Sequence, residues 1–121
     1  MVPRPLRLAV FALACLVVLW ASVAPTTALP GVTLWDKWQH LIAYGGLTLL
    51  GAFAFPASLT RLAIGLFCGG VALEILQSVM GQGRQGDPAD ALANSLGIAL
   101  GLLTTLAIRA WVRVKSPARG E

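Results

Sequence analysis

The residues of this 121-residue chain whose types could do chemistry fall in three short runs. Asp36, His40 and Tyr44 stand at i, i+4 and i+8, so on a helix all three project from nearly one face. Glu74 and Gln77 are three apart and also share a face, and Asp90, Asn94, Gly97 and Gly101 step by 4, 3 and 4. That last stripe is polar at its start and bare backbone further along. An imidazole among carboxylates is the equipment of general base catalysis, with His40 oriented by Asp36 or Glu74 and assisted by Asp90. No convincing nucleophile accompanies it, since Ser78 and Ser95 lack an elbow-like context and Cys68 lies deep in an apolar run. One histidine with scattered acids more commonly forms a hydrogen-bonded network, so no metal and no other cofactor is expected. A metal would require three helices to converge closely. Lys37 and Arg84 could meet an anionic group, but both have carboxylate neighbours, and Lys37 with Asp90 or Arg84 with Asp87 reads equally well as an ordinary ion pair.

The elements that must position these residues are membrane helices. The chain is 57% hydrophobic and 12% charged, against about 45–50% and about 25% in a soluble domain, which excludes a soluble globular fold. Apolar runs bounded by charges and prolines predict an all-α integral membrane protein with four transmembrane helices, near 8–23, 38–55, 62–80 and 91–112. Residues 1–121 read as a single transmembrane domain without repeats. The net charge of +4 is the topology signal of such a chain rather than a nucleic-acid footprint. Cys15 and Cys68 lie in apolar runs and supply neither a disulfide framework nor a zinc set.

Four spans put both termini on one side. Arg4, Arg7, Arg61, Arg109, Arg113, Lys115 and Arg119 then fall together, with only Lys37 and Arg84 opposite. The asymmetry predicts cytoplasmic termini. Trp20, Trp35 and Trp38 fall at the predicted outer interface and Trp111 at the inner one. Arg4 and Arg7 ahead of an apolar run ending in small residues also resemble a secretory signal peptide, although Pro25 disfavours cleavage after Ser22-Val23-Ala24. Gly65-x-x-x-Gly69 and Gly97-x-x-x-Gly101 are read as close packing inside the bundle, with a homodimer face as the other reading.

The three polar runs therefore meet at the outer ends of the second, third and fourth helices. At about 1.5 Å per residue, Tyr44 and Glu74 both lie about 9 Å deep, which makes them neighbours, with His40, Gln77 and Asn94 just above. An ionised acid at mid-bilayer costs about 2.5–3.5 kcal/mol even on the lenient insertion scale, so Glu74 is expected to face protein or water.

Asp36-Lys37-Trp38-Gln39-His40-Leu41-Ile42-Ala43-Tyr44 resembles the D-K-x-x-H-x-x-x-[YF] opening of the VanZ-like membrane proteins. Glu74-x-x-Gln77 resembles their E-x-x-Q, and Gly83-Arg84 with Asp87, Asp90, Asn94 and Gly97 resembles their G-R-x-x-D-x-x-D-x-x-x-N-x-x-G, a likeness spanning 36–101. The resemblance implies a multi-pass protein of the bacterial inner membrane from a family named for teicoplanin resistance. It carries over to Asp36, Lys37, His40, Tyr44, Glu74, Gln77, Arg84, Asp87, Asp90, Asn94 and Gly97. Three functions stay open. The first is binding or modifying an envelope amphiphile, such as a membrane lipid or lipid-linked envelope precursor. The second is a structural or interaction bundle without ligand. The third is an intramembrane hydrolase or transferase using His40, Glu74 and Asp90 with Asp36.

Overall fold

A computed structural model describes residues 2–24, 36–80 and 87–116, with Asp36 described by its backbone alone. The expectations for Trp35, Arg84, Arg119 and the Asp36 side chain lie outside the described residues. The described residues form four helices and no strand: α1 (Arg4–Val23), α2 (Asp36–Ala54), α3 (Leu59–Met80) and α4 (Pro88–Lys115). Three of these, α1, α3 and α4, are long and apolar enough to cross a membrane. The surfaces of all four helices are apolar, with Leu13, Ile42, Ile64, Ile75, Leu92 and Leu103 each more than half exposed, a pattern soluble monomers avoid.

The ends follow from local chemistry. Pro3 precedes α1 in an extended conformation and Pro5 lies in its first turn, where a missing N–H costs nothing. Pro56 stops α2, because proline disfavours helical backbone in the residue before it. Asp87 caps α4 by accepting from the Ala89 N–H at 2.8 Å, with Pro88 in the first turn behind it. The helices extend beyond the apolar runs, by four residues at the start of α1 and three at each end of α4. Charged residues such as Arg4, Arg113 and Lys115 end a hydropathy count without ending a helix.

Contacts between ends give the arrangement. Lys37 at the start of α2 meets Asp87 and Asp90 at the start of α4, so these two helices run parallel. Gln77 near the end of α3 donates to the Ser22 carbonyl near the end of α1 at 2.7 Å, so that pair is parallel too. Arg7 in α1 donates to the Phe53 carbonyl at the end of α2 at 2.9 Å, which sets the pairs antiparallel to each other. A guanidinium there also complements the negative end of the helix dipole. Phe11 and Phe55 meet edge to face at 5.6 Å beside it.

The most extensive interface is α2 on α4, and its middle is a close backbone approach. A Cβ at Gly97 would collide with the Leu41 carbonyl oxygen and lie 3.0 Å from the Gly45 nitrogen, and one at Gly101 would lie 2.6 Å from the Thr48 Cβ. Thr48 is fully buried there, its hydroxyl donating to the Tyr44 carbonyl at 2.7 Å. Gly97 and Gly101 thus pack inside the bundle as expected, but Gly65 and Gly69 do not. Both face open space on α3, because the buried stripe of that helix runs through Leu62, Gly70, Glu74 and Gln77 instead. Gly97→Ala should therefore lower stability by about 1–3 kcal/mol, the range for overpacking a tight contact. Gly65→Ala, which meets nothing and gains helix propensity, should leave stability equal or higher. Thermal unfolding of both variants in detergent checks the contrast.

Candidate functional site

Parallel packing of α2 on α4 places His40 opposite Asn94, and α3 closes the third side with Glu74. Asn94, Asp90 and Glu74 are 3%, 5% and 8% exposed, so three polar side chains from two helices are enclosed where they meet His40. The His40 Nδ1 lies 2.9 Å from the Asn94 Oδ1. An amide oxygen only accepts, so Nδ1 carries the proton and, in the neutral ring, Nε2 keeps its lone pair. That lone pair is on the side of Asp90, whose Oδ2 stands 3.8 Å from Nε2. The Glu74 Oε1 stands 3.9 Å from Nδ1. Both separations exceed hydrogen-bond length while keeping the carboxylates beside the ring.

Glu74 reaches further. Its Oε2 accepts from the Asp87 N–H at 3.3 Å, which brings a carboxylate to the positive end of the α4 dipole. Asp87 in turn accepts from Lys37 at 2.7 Å, and Lys37 lies 3.4 Å from the Asp90 Oδ1. Lys37 thus makes the ion pair with Asp90 that the sequence allowed and a shorter one with Asp87. Among the described residues three carboxylates thus surround one ammonium and one imidazole, and the cluster has an acidic surplus.

Tyr44 sits one turn deeper, buried, with its hydroxyl 3.1 Å and the Asn94 Nδ2 3.2 Å from the point where a Gly70 Cβ would be. Gly70 is thus the gap in α3 into which Tyr44 and Asn94 pack, a role the motifs did not suggest. Extending the Glu74 and Gln77 stripe one turn back would have reached it. Gln77 itself departs from expectation, because its amide nitrogen bonds the Ser22 carbonyl and serves the junction with α1. Ser78 and Ser95 donate to the carbonyls of Glu74 and Ala91 in their own helices, both at 2.8 Å, so neither hydroxyl is offered to His40 as a nucleophile.

Comparison with protein-family models, curated proteins and solved structures finds no match to this chain. The site therefore has to be read from its own chemistry. His40, Asn94, Glu74 and Asp90 form a buried cluster with one imidazole nitrogen fixed as donor, and Lys37 and Asp87 form its half-exposed rim.

The rim gives a direct test. Asp87 is held below the ordinary carboxylate range, chiefly by the hydrogen bond from Lys37 and next by the Ala89 N–H. A carboxyl whose folded value is depressed contributes stability above its unfolded value and loses it as pH falls through the folded one. The Lys37 to Asp87 tie should therefore persist at pH 5 and fail only below the usual Asp range. Lys37→Met should move the Asp87 titration upward towards that range, as read by carboxyl carbon shifts in NMR.

Proposed function

We propose that this chain is a VanZ-like protein of the bacterial inner membrane. In this reading it forms a four-span bundle with both termini in the cytoplasm and an outward-facing site that binds the headgroup of an envelope amphiphile. The observation that carries the proposal is the enclosure of His40, Asn94, Glu74 and Asp90 where three helices meet. Polar side chains that only glue membrane helices together contribute about 0.6 kcal/mol each and need no ionisable members. Two carboxylates and an imidazole gathered in an apolar bundle are costly to hold there, which favours a site.

The fourth span is α2. Its 19 residues give a length of about 28 Å, close to the thickness of the hydrocarbon core. Its hydropathy is lowered by Lys37, Gln39, His40 and Thr48, of which His40 and Thr48 are turned towards α4. Orientation rests on the distribution of basic residues, with seven on the side of the termini and two opposite. Trp20 and Trp38, both well exposed, lie on the site's side, and Trp111 lies at the other end, as interfacial indoles would.

An amphiphile suits this geometry because the polar cluster opens beside the half-exposed Lys37 and Asp87 while apolar helix faces flank it. Buried carboxylates accept hydrogen bonds from sugar hydroxyls or amines, and acyl chains lie along the exposed leucines and isoleucines. A glycan-bearing envelope precursor combines both parts. Tolerance of teicoplanin is the associated phenotype in this reading.

Two measurements check it. Cysteines at Thr26 and Gln85, in a Cys15→Ala/Cys68→Ala background, should react with an impermeant thiol reagent from outside the inner membrane, and one at Ser58 should not. The reverse pattern would turn the site to the cytoplasm and end the envelope reading. Separately, His40→Ala and Asp90→Ala should each remain folded yet remove most of any change in susceptibility to envelope antibiotics that the protein confers, with the double variant little worse than either. Function that merely follows the amount of folded protein would identify a structural bundle.

A further inference from the structure

His40, Glu74 and Asp90 form a group whose donor atoms could converge on one cation. Each offers one ligand atom, and the three atoms lie within 4.8 Å of one another. Two donors bound to one tetrahedral zinc ion at about 2.0–2.2 Å stand about 3.3–3.6 Å apart. The 3.8 Å between the His40 Nε2 and the Asp90 Oδ2 is slightly longer than that and too long for a hydrogen bond, and the Glu74 Oε1, 3.9 Å from the Nδ1, would turn towards the Nε2 side to share the ion. The sequence offers no expectation of a metal unless three helices converge closely, and α2, α3 and α4 do converge at these residues.

A second observation is independent of the spacing. Metal-bound histidines almost always donate their other ring N–H to a carbonyl or carboxylate, which fixes the tautomer and aims the lone pair. Asn94, 3% exposed, does this for His40 at 2.9 Å, and the nitrogen it leaves unprotonated is the one facing Asp90. The two carboxylate donors are themselves 8% and 5% exposed, and the Asp87 N–H and Lys37 hold their remaining oxygens. The protein thus supplies donors, a fixed tautomer and an outer layer of hydrogen bonds.

We infer that His40, Glu74 and Asp90 bind one divalent zinc-class cation, with Asn94 positioning His40. One imidazole and two carboxylates suit zinc or manganese better than calcium, which prefers six to eight oxygens. Two carboxylates neutralise the dication, and three protein donors leave a coordination position open. Resting on the envelope-amphiphile reading, that position takes a phosphate oxygen of the headgroup. The ion would resolve the electrostatic difficulty of an anionic headgroup beside an acidic cluster, since the cation lies between the two. The cation site itself needs no lipid, so the two ideas fail separately.

The experiment uses the full chain in detergent, stripped of metal by chelator and free of added lipid. Isothermal titration with zinc should give one site per chain, in wild type and equally in Cys15→Ala/Cys68→Ala. Glu74→Gln and Asp90→Asn, which keep size and hydrogen bonding, should each lower affinity at least 10-fold, and Asn94→Leu should lower it about 10- to 100-fold through His40. Cobalt added to wild type should give the visible bands of nitrogen and oxygen ligation. A thiolate charge-transfer band would overturn the assignment, as would zinc binding unchanged in a His40→Gln/Glu74→Gln/Asp90→Asn variant or absent from the wild type. Because the cobalt spectrum is read on wild type, a variant that fails to fold leaves the inference testable. Zinc binding without any effect of these residues on antibiotic susceptibility would keep the metal site and remove the amphiphile.

Discussion

Everything at the site depends on the backbone contact between α2 and α4. Where Gly97 meets the Leu41 carbonyl and Gly45, the two helices approach too closely for a Cβ at position 97. In an apolar solvent this is a strong way to hold helices, because burial against lipid-like surroundings supplies little drive and packing must supply the rest. The contact also fixes axial register. With Gly97 against Gly45, Asn94 comes level with His40, one turn back Asp90 comes beside both His40 and Lys37, and Asp87 completes the rim. A larger residue at Gly97 would push α2 and α4 apart and disturb all four pairings together. The polar cluster is thus a consequence of two missing side chains, at Gly97 and Gly101.

The same geometry handles the electrostatic problem of acids in a bundle. Glu74 and Asp90 are buried, yet each is met by a group of opposite polarity supplied by another segment: the N-terminal amide of Asp87 for one, Lys37 for the other. Asp87 links the two, since its backbone N–H serves Glu74 while its side chain caps α4 and holds Lys37. Placing acids at a helix N-terminus uses the partial positive charge of unsatisfied amides, which lipid cannot screen. Only the rim is exposed enough for solvent to weaken its ion pair, with Lys37 and Asp87 side chains 55% and 46% exposed.

Helix positions and the meeting of the polar runs were legible because membrane helices write their period and their polar exceptions plainly. The stripe of Asp90, Asn94, Gly97 and Gly101 announced a face, and that face is the one α2 occupies. Less legible was where each side chain turns. Gln77 shares a helical face with Glu74 but bonds to α1, a choice set by the position of the Ser22 carbonyl rather than by spacing. Gly65 and Gly69 carry the same pattern as Gly97 and Gly101 and yet pack on nothing, because a small-residue motif says that a helix can be approached without saying that it is. Arg7 read as a topology charge, whereas its guanidinium closes the end of α2 and lies 5.3 Å over the Phe53 ring, a tertiary role no local pattern encodes.

The bundle is also markedly unequal along its length. One end gathers His40, Glu74, Asp87, Asp90 and Lys37, and the other is closed by Arg7, Phe11, Phe53 and Phe55. Between them α2 has no carboxylate, imidazole or basic group after His40, α3 none from 62 to 73, and α4 none from 91 to 108. The hydroxyls of Thr48 and Thr105, buried at that depth, are turned back on carbonyls of their own helices. A path for protons or ions needs groups that exchange partners from one side to the other, and these residues are committed locally. The ionisable groups of the described helices therefore form no continuous line through the bundle, and its carboxylates and imidazole are gathered at the single end where Lys37 and Asp87 form a half-exposed rim.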